Sequence, residues 1–116
     1  DYVHIKDICR AILLSANYLF KKINRKIFLN IGNGYGISNL QVVNKLNNYL
    51  KINTKINYTN RRKGDHSFLV CDIKKAKKTI NWSPIYSSIS NIMKDELKWS
   101  KKLIKLKIKR FFYNDK

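Results

Sequence analysis

Apolar and polar positions along the chain alternate at the strand period in some stretches and recur at helical spacing in others. Asp1-Tyr2-Val3-His4-Ile5 alternates and predicts a short strand. Asp7 then reads as a helix cap, with Ile8, Ala11, Ile12 and Leu19 recurring on one face after it. A basic loop, residues 21–26, leads to Ile27-Phe28-Leu29-Asn30-Ile31, a nearly unbroken apolar run that suits a strand covered on both faces. Ser38 and Gln41 form a capping box, and Ile37 with Val42 a hydrophobic staple, so a helix begins there. Leu40, Val43, Leu46 and Leu50 supply its buried stripe.

Further strands are predicted at Ile56-Asn57-Tyr58-Thr59 and Phe68-Leu69-Val70-Cys71. Asp72 reads as the cap of a helix running to about Ile80, stopped by Asn81-Trp82-Ser83-Pro84. A last helix begins near Ser87 or Ser88, with Ile89, Met93 and Leu97 on one face and Trp99 beside them. Beyond it, Ile104 to Lys109 alternates strictly, a strand-like period, and Lys98 to Arg110 holds seven basic residues and no acid. Phe111, Phe112 and Tyr113 add aromatic surface. A frayed, charge-solvated end is the favoured reading, a membrane-surface or nucleic-acid role the alternative. There is no internal repeat, and the order of elements predicts a mixed α/β domain.

At 116 residues the chain has the size of one small domain, and it begins with Asp and not Met, as suits a piece of a longer protein. Its net charge of +18 favours anionic partners such as nucleic acid, a membrane surface or a phosphorylated ligand. Lysine supplies 20 of its 25 cationic residues, amid much Asn, Ile and Tyr. These residues have A/T-rich codons, so mutational drift accounts for much of the excess without any polyanion. Cys9 and Cys71 form no metal pattern, and the plain reading is a reduced cytoplasmic protein. No apolar run approaches the ~20 residues of a membrane span.

The candidate chemistry centres on Arg61-Arg62-Lys63-Gly64-Asp65. Neighbouring guanidiniums can hold a diphosphate through paired charge-assisted hydrogen bonds, although a basic run is often only a solvated face. Gly64 permits a tight turn, and Asp65 offers an acceptor to a ribose or base donor. Gly32-Asn33-Gly34-Tyr35-Gly36 invites a dinucleotide reading, but the fingerprint G-x-G-x-x-G would need its third glycine at Ile37, and no acid follows about 20 residues on. A strand-to-helix turn whose amides can line a ligand is the better account. His4 and His66 have no neighbouring nucleophile or carboxylate in sequence and read as structural or exposed. No catalytic constellation and no metal site is expected.

Read in order, Asp1-Tyr2-Val3-His4 with Asp7, Leu29 to Ser38, Arg61 to Asp65, and Asp72 to Ala76 leading to Asn81-Trp82 resemble the C-terminal third of the UDP-glucose 4-epimerase family, extended short-chain dehydrogenases/reductases. The resemblance covers residues 1–100, leaving 101–116 as a basic C-terminal tail. It implies an α/β fold, the substrate-binding C-terminal portion of an extended Rossmann-type enzyme whose NAD-binding domain is absent from this chain. It implies an isomerase of galactose metabolism, interconverting UDP-glucose and UDP-galactose with NAD bound by that missing domain. Arg62 would then bind the UDP diphosphate, Asp65 the nucleoside end, and Tyr2 and Asn39 the nucleotide pocket.

In the family the glycine-rich NAD site and the catalytic Tyr-x-x-x-Lys pair precede the matched region, so no catalytic or cofactor-binding residue is expected in the chain. The chain alone is expected to be inactive, and either poorly folded or self-associating. Its expected partners are UDP-sugars, the missing domain and a second copy of the full enzyme, with no membrane. Two rival readings remain: another NAD-dependent nucleotide-sugar epimerase or dehydratase, and a small basic nucleic-acid-binding module.

Overall fold

In the computed structural model, residues 1–21 and 26–113 are described; most of the expected basic loop, and the side chains of residues 107–113, lie outside what is described. Four helices follow one another: α1 (Ile5–Phe20), α2 (Asn39–Leu50), α3 (Lys74–Ile80) and α4 (Ile89–Tyr113). No strand is present among the described residues, in place of the mixed α/β pattern expected. The apolar runs at 27–31, 56–59 and 68–71 are non-helical but lie beside no segment that forms a ladder with them. A strand needs a neighbour to take its backbone N–H and C=O groups, so alternation alone does not make one.

The core gathers where α1 crosses α3. Ala11 and Ala76 allow close approach, and Ile80 and the wholly buried Trp82 close the cluster. Leu14, Tyr18, Ile27, Leu29, Ile31 and Ile73 pack around it. The run 27–31 therefore contributes to the core although it forms no strand.

This core is small for the chain length. The radius of gyration is 19.1 Å, against roughly 13 Å for a compact domain of this size. Large apolar side chains such as Ile12, Leu13, Phe28 and Leu69 stand exposed. The apolar face expected on α1 is thus covered at Ala11 and bare at Ile12.

Local signals account for the helix boundaries with one exception. Ser38 Oγ accepts from Gln41 N at 3.2 Å and Gln41 Oε1 from Ser38 N at 2.8 Å, closing the capping box. Asp72 Oδ1 accepts from Lys74 N at 2.9 Å at the start of α3, and Ser88 Oγ from Asn91 N at 3.2 Å at the start of α4. The exception is α1, where His4 Nδ1 accepts from Lys6 N at 3.1 Å and so takes the capping place expected of Asp7. The stripe expected on α2 is only half formed: Val43 and Leu46 are half-buried, but Leu40 and Leu50 are exposed. Among the described residues no part of α2 is fully buried, because α4 is its only substantial helical neighbour there. Residues 104–109, expected to be strand-like and frayed, continue α4. Lys and Leu favour helix, and no Gly or Pro interrupts the run.

Candidate functional site

Asp7 is wholly buried and works at long range. Its carboxylate accepts from Ile85 N at 3.0 Å, Tyr86 N at 2.8 Å, Ser87 Oγ at 2.7 Å and Arg10 Nη1 at 2.9 Å. Desolvation pushes this carboxyl up, and the hydrogen bonds from Ile85, Ser87, Tyr86 and Arg10 outweigh it, leaving it below its ordinary value. Trp82 Nε1 donates to the Asp7 carbonyl at 2.9 Å, and Arg10 donates also to the Ser83 carbonyl at 3.1 Å. The 82–87 segment is thus clasped to the first turn of α1. Ser87 Oγ accepts from His4 N at 2.9 Å, so the clasp also fixes the chain leading back to Tyr2.

Tyr2 and Asn39, separated by 37 positions, meet directly: the Tyr2 hydroxyl donates to Asn39 Oδ1 at 2.7 Å. Both line a cavity of about 590 Å³ together with Ser38, Gln41, His66 and Phe68. Tyr2 also borders a smaller cavity of about 290 Å³ that Lys45 and Ser87 reach. His66, read from sequence as structural or exposed, is an exposed residue that lines the larger cavity. His4 is the structural one, with Nε2 3.3 Å from Asp95 Oδ2. Lys6 Nζ donates to the same oxygen at 2.9 Å, which is the main reason that the Asp95 carboxyl lies below its ordinary value. Tyr2 and Lys6 stand at Tyr-x-x-x-Lys spacing, with the Tyr2 hydroxyl donating to Asn39 and the Lys6 ammonium to Asp95.

Arg62 and Asp65 come together with each other but not with Tyr2 and Asn39. Gly64 takes a left-handed φ of +91°, Asp65 N donates to the Arg62 carbonyl at 3.2 Å, and Arg62 Nε lies 3.6 Å from Asp65 Oδ2. Their side chains are 91% and 54% exposed, so water screens this pair. The turn immediately precedes His66 in the chain but does not itself line the cavity.

The glycine segment is divided: Gly36 lines the larger cavity, while the amides of Asn33 and Gly34 are bound to Asp1. Asp1 Oδ1 accepts from Asn33 N at 2.8 Å, and Asp1 Oδ2 from Gly34 N at 3.2 Å and Cys71 N at 2.9 Å. A Cβ at Gly32 would stand 2.5 Å from Cys71 Cβ, so this glycine serves a close approach of two segments. The Asn33 and Gly34 amides, already bound to a carboxylate, are not free to cradle a pyrophosphate in the way a dinucleotide fingerprint requires. Burial, with a smaller contribution from Asp72, pushes the Cys71 thiol up, away from nucleophilic use. Both cysteines are free. Among the described residues no cluster of three or more His, Cys, Asp or Glu could hold a metal, and no helix is long and apolar enough to cross a membrane.

Apart from Arg10, three positions from Asp7, the partners of the Asp1 and Asp7 hubs lie 32 to 80 positions away, so nothing local marks either as a hub.

No protein-family model matches the chain. Curated relatives do. The chain is 32% identical over 99 residues to a UDP-glucose 4-epimerase of Lacticaseibacillus casei, covering 85% of this chain and 30% of that protein. It is 34% identical over 100 residues to one of Mycoplasma pneumoniae, covering 83% and 29%. It is 29% identical over 101 residues to one of Lactobacillus helveticus, covering 87% and 30%. The chain spans about 30% of the length of these relatives, and its resemblance to part of UDP-glucose 4-epimerase extends over most of its own length.

Proposed function

We propose that this chain is the nucleotide-sugar-binding portion of a UDP-glucose 4-epimerase, with the α/β sheet and NAD site supplied by the rest of that enzyme. The observation that carries the reading is the similarity over 85% of the chain to a protein of that name. The meeting of Tyr2 and Asn39 at a cavity of about 590 Å³ supports it. In this reading Tyr2 and Asn39 border the nucleoside, Arg62 grips the diphosphate and Asp65 accepts from the ribose. The Arg62–Asp65 pair is exposed and weak, so it can open toward a ligand at little cost. The chain's own residues bind and orient; the hydride chemistry belongs to NAD when the complete enzyme holds it.

The test is a chimera in which this chain replaces the matching 30% of the Lacticaseibacillus casei epimerase. UDP titration by calorimetry at fixed salt, and conversion of UDP-galactose, are the readouts. UDP binding with turnover is expected. A chimera that folds and retains NAD yet binds no UDP would overturn the assignment.

A further inference from the structure

The second half of α4 has no part in the site described above. From Lys98 to Leu106 it carries Lys98, Lys101, Lys102 and Lys105 and no acid. Trp99, Leu103 and Leu106 recur at i, i+4 and i+7, and all three are exposed. At 3.6 residues per turn these three fall within an arc of about 60°, with the four lysines on the adjoining arc. The Lys102 ammonium lies 5.8 Å from the Trp99 ring centroid, at the border of the two. The sequence continues with Lys107, Lys109 and Arg110, still without an acid.

We propose that this half of α4 is a docking face for an anionic lipid surface. Charge complementarity selects a negative partner and rejects a second copy of this helix. The apolar arc selects lipid over nucleic acid: phosphate backbones use the lysines but have no place for exposed Trp99, Leu103 and Leu106, whereas an interfacial helix buries such residues below the headgroups. Lysine stems reach along the apolar boundary while their ammonium groups stay at the headgroups.

The experiment uses the full 116-residue chain and vesicles of phosphatidylcholine with or without phosphatidylserine. Cosedimentation with the anionic vesicles is expected, weakening with salt, together with a blue shift of tryptophan emission that Trp99→Phe removes. Lys101→Gln with Lys105→Gln should lower partitioning roughly 25-fold, from about tenfold per 1.4 kcal/mol and about 1 kcal/mol per lysine. Leu103→Asn with Leu106→Asn should abolish the blue shift while far-UV circular dichroism stays unchanged. Equal binding to neutral vesicles, or equal binding by the variants and the parent, would overturn the proposal. So would salt-sensitive binding to duplex DNA in the absence of vesicle binding.

Discussion

The clasp around Asp7 and the Arg61–Asp65 turn are both built from an acid near an arginine, and they behave in opposite ways. Asp7 is wholly buried, and its carboxylate meets donors from Arg10 and from three successive residues, 85–87. Asp65 has Arg62 at 3.6 Å in an exposed turn. The first arrangement is held by the chain's own packing and serves stability. The second is held by little, which leaves its charges available to something else.

The largest effect that separates them is expected at Asp7. Asp7→Ala removes the acceptor from buried donors and takes the carboxylate away from Arg10, costing about 3–5 kcal/mol; urea unfolding followed by circular dichroism measures it. A loss under about 1 kcal/mol, the range of an exposed pair, would erase the distinction between the regions.

Next in size is Arg62→Ala in the epimerase chimera. Hydrogen bonds to charged groups contribute about 1.5–3 kcal/mol, so UDP affinity should fall roughly 10- to 150-fold, with NAD retained. Arg62→Lys should recover only part of the loss, since a point charge does not reproduce the planar fork. Equal UDP affinity in parent and both variants would remove Arg62 from the site.

The pH response sharpens the comparison further. Because the folded-state value of Asp7 is depressed, its contribution is present above the unfolded value and lost as pH falls through the folded one. Stability should therefore decline below about pH 4, and Asp7→Asn should flatten that decline in acid titrations of the melting temperature. The smallest effect is on stability at the turn: Arg62→Ala should change it by no more than about 0.5 kcal/mol.

Devices that act within a few positions are legible in the sequence. The Ser38–Gln41 box and the ends of α3 follow from near neighbours. Asp7 has the look of a cap, but apart from Arg10 its carboxylate's partners are 78 to 80 positions away. The run 27–31 has the composition of a strand, and composition does not supply the ladder partner. Alternation at 104–109 loses to the helix propensity of Lys and Leu. Tyr2 and Asn39 are marked by resemblance alone, since nothing local identifies either as part of a cavity.

The distance in sequence between Asp7 and its donors also sets an order of events in folding. Helix α2 is closed by a box spanning three positions and can form as soon as those residues exist. The Asp7 clasp to Ser87 requires closure of a loop of 80 positions before that bond forms. If that closure follows the transition state, loss of the clasp is expected to accelerate unfolding while the folding rate stays nearly constant, which a chevron of Asp7→Asn measures. In that kinetic sense Asp7 is a bolt, holding shut a chain that its local helices have already shaped.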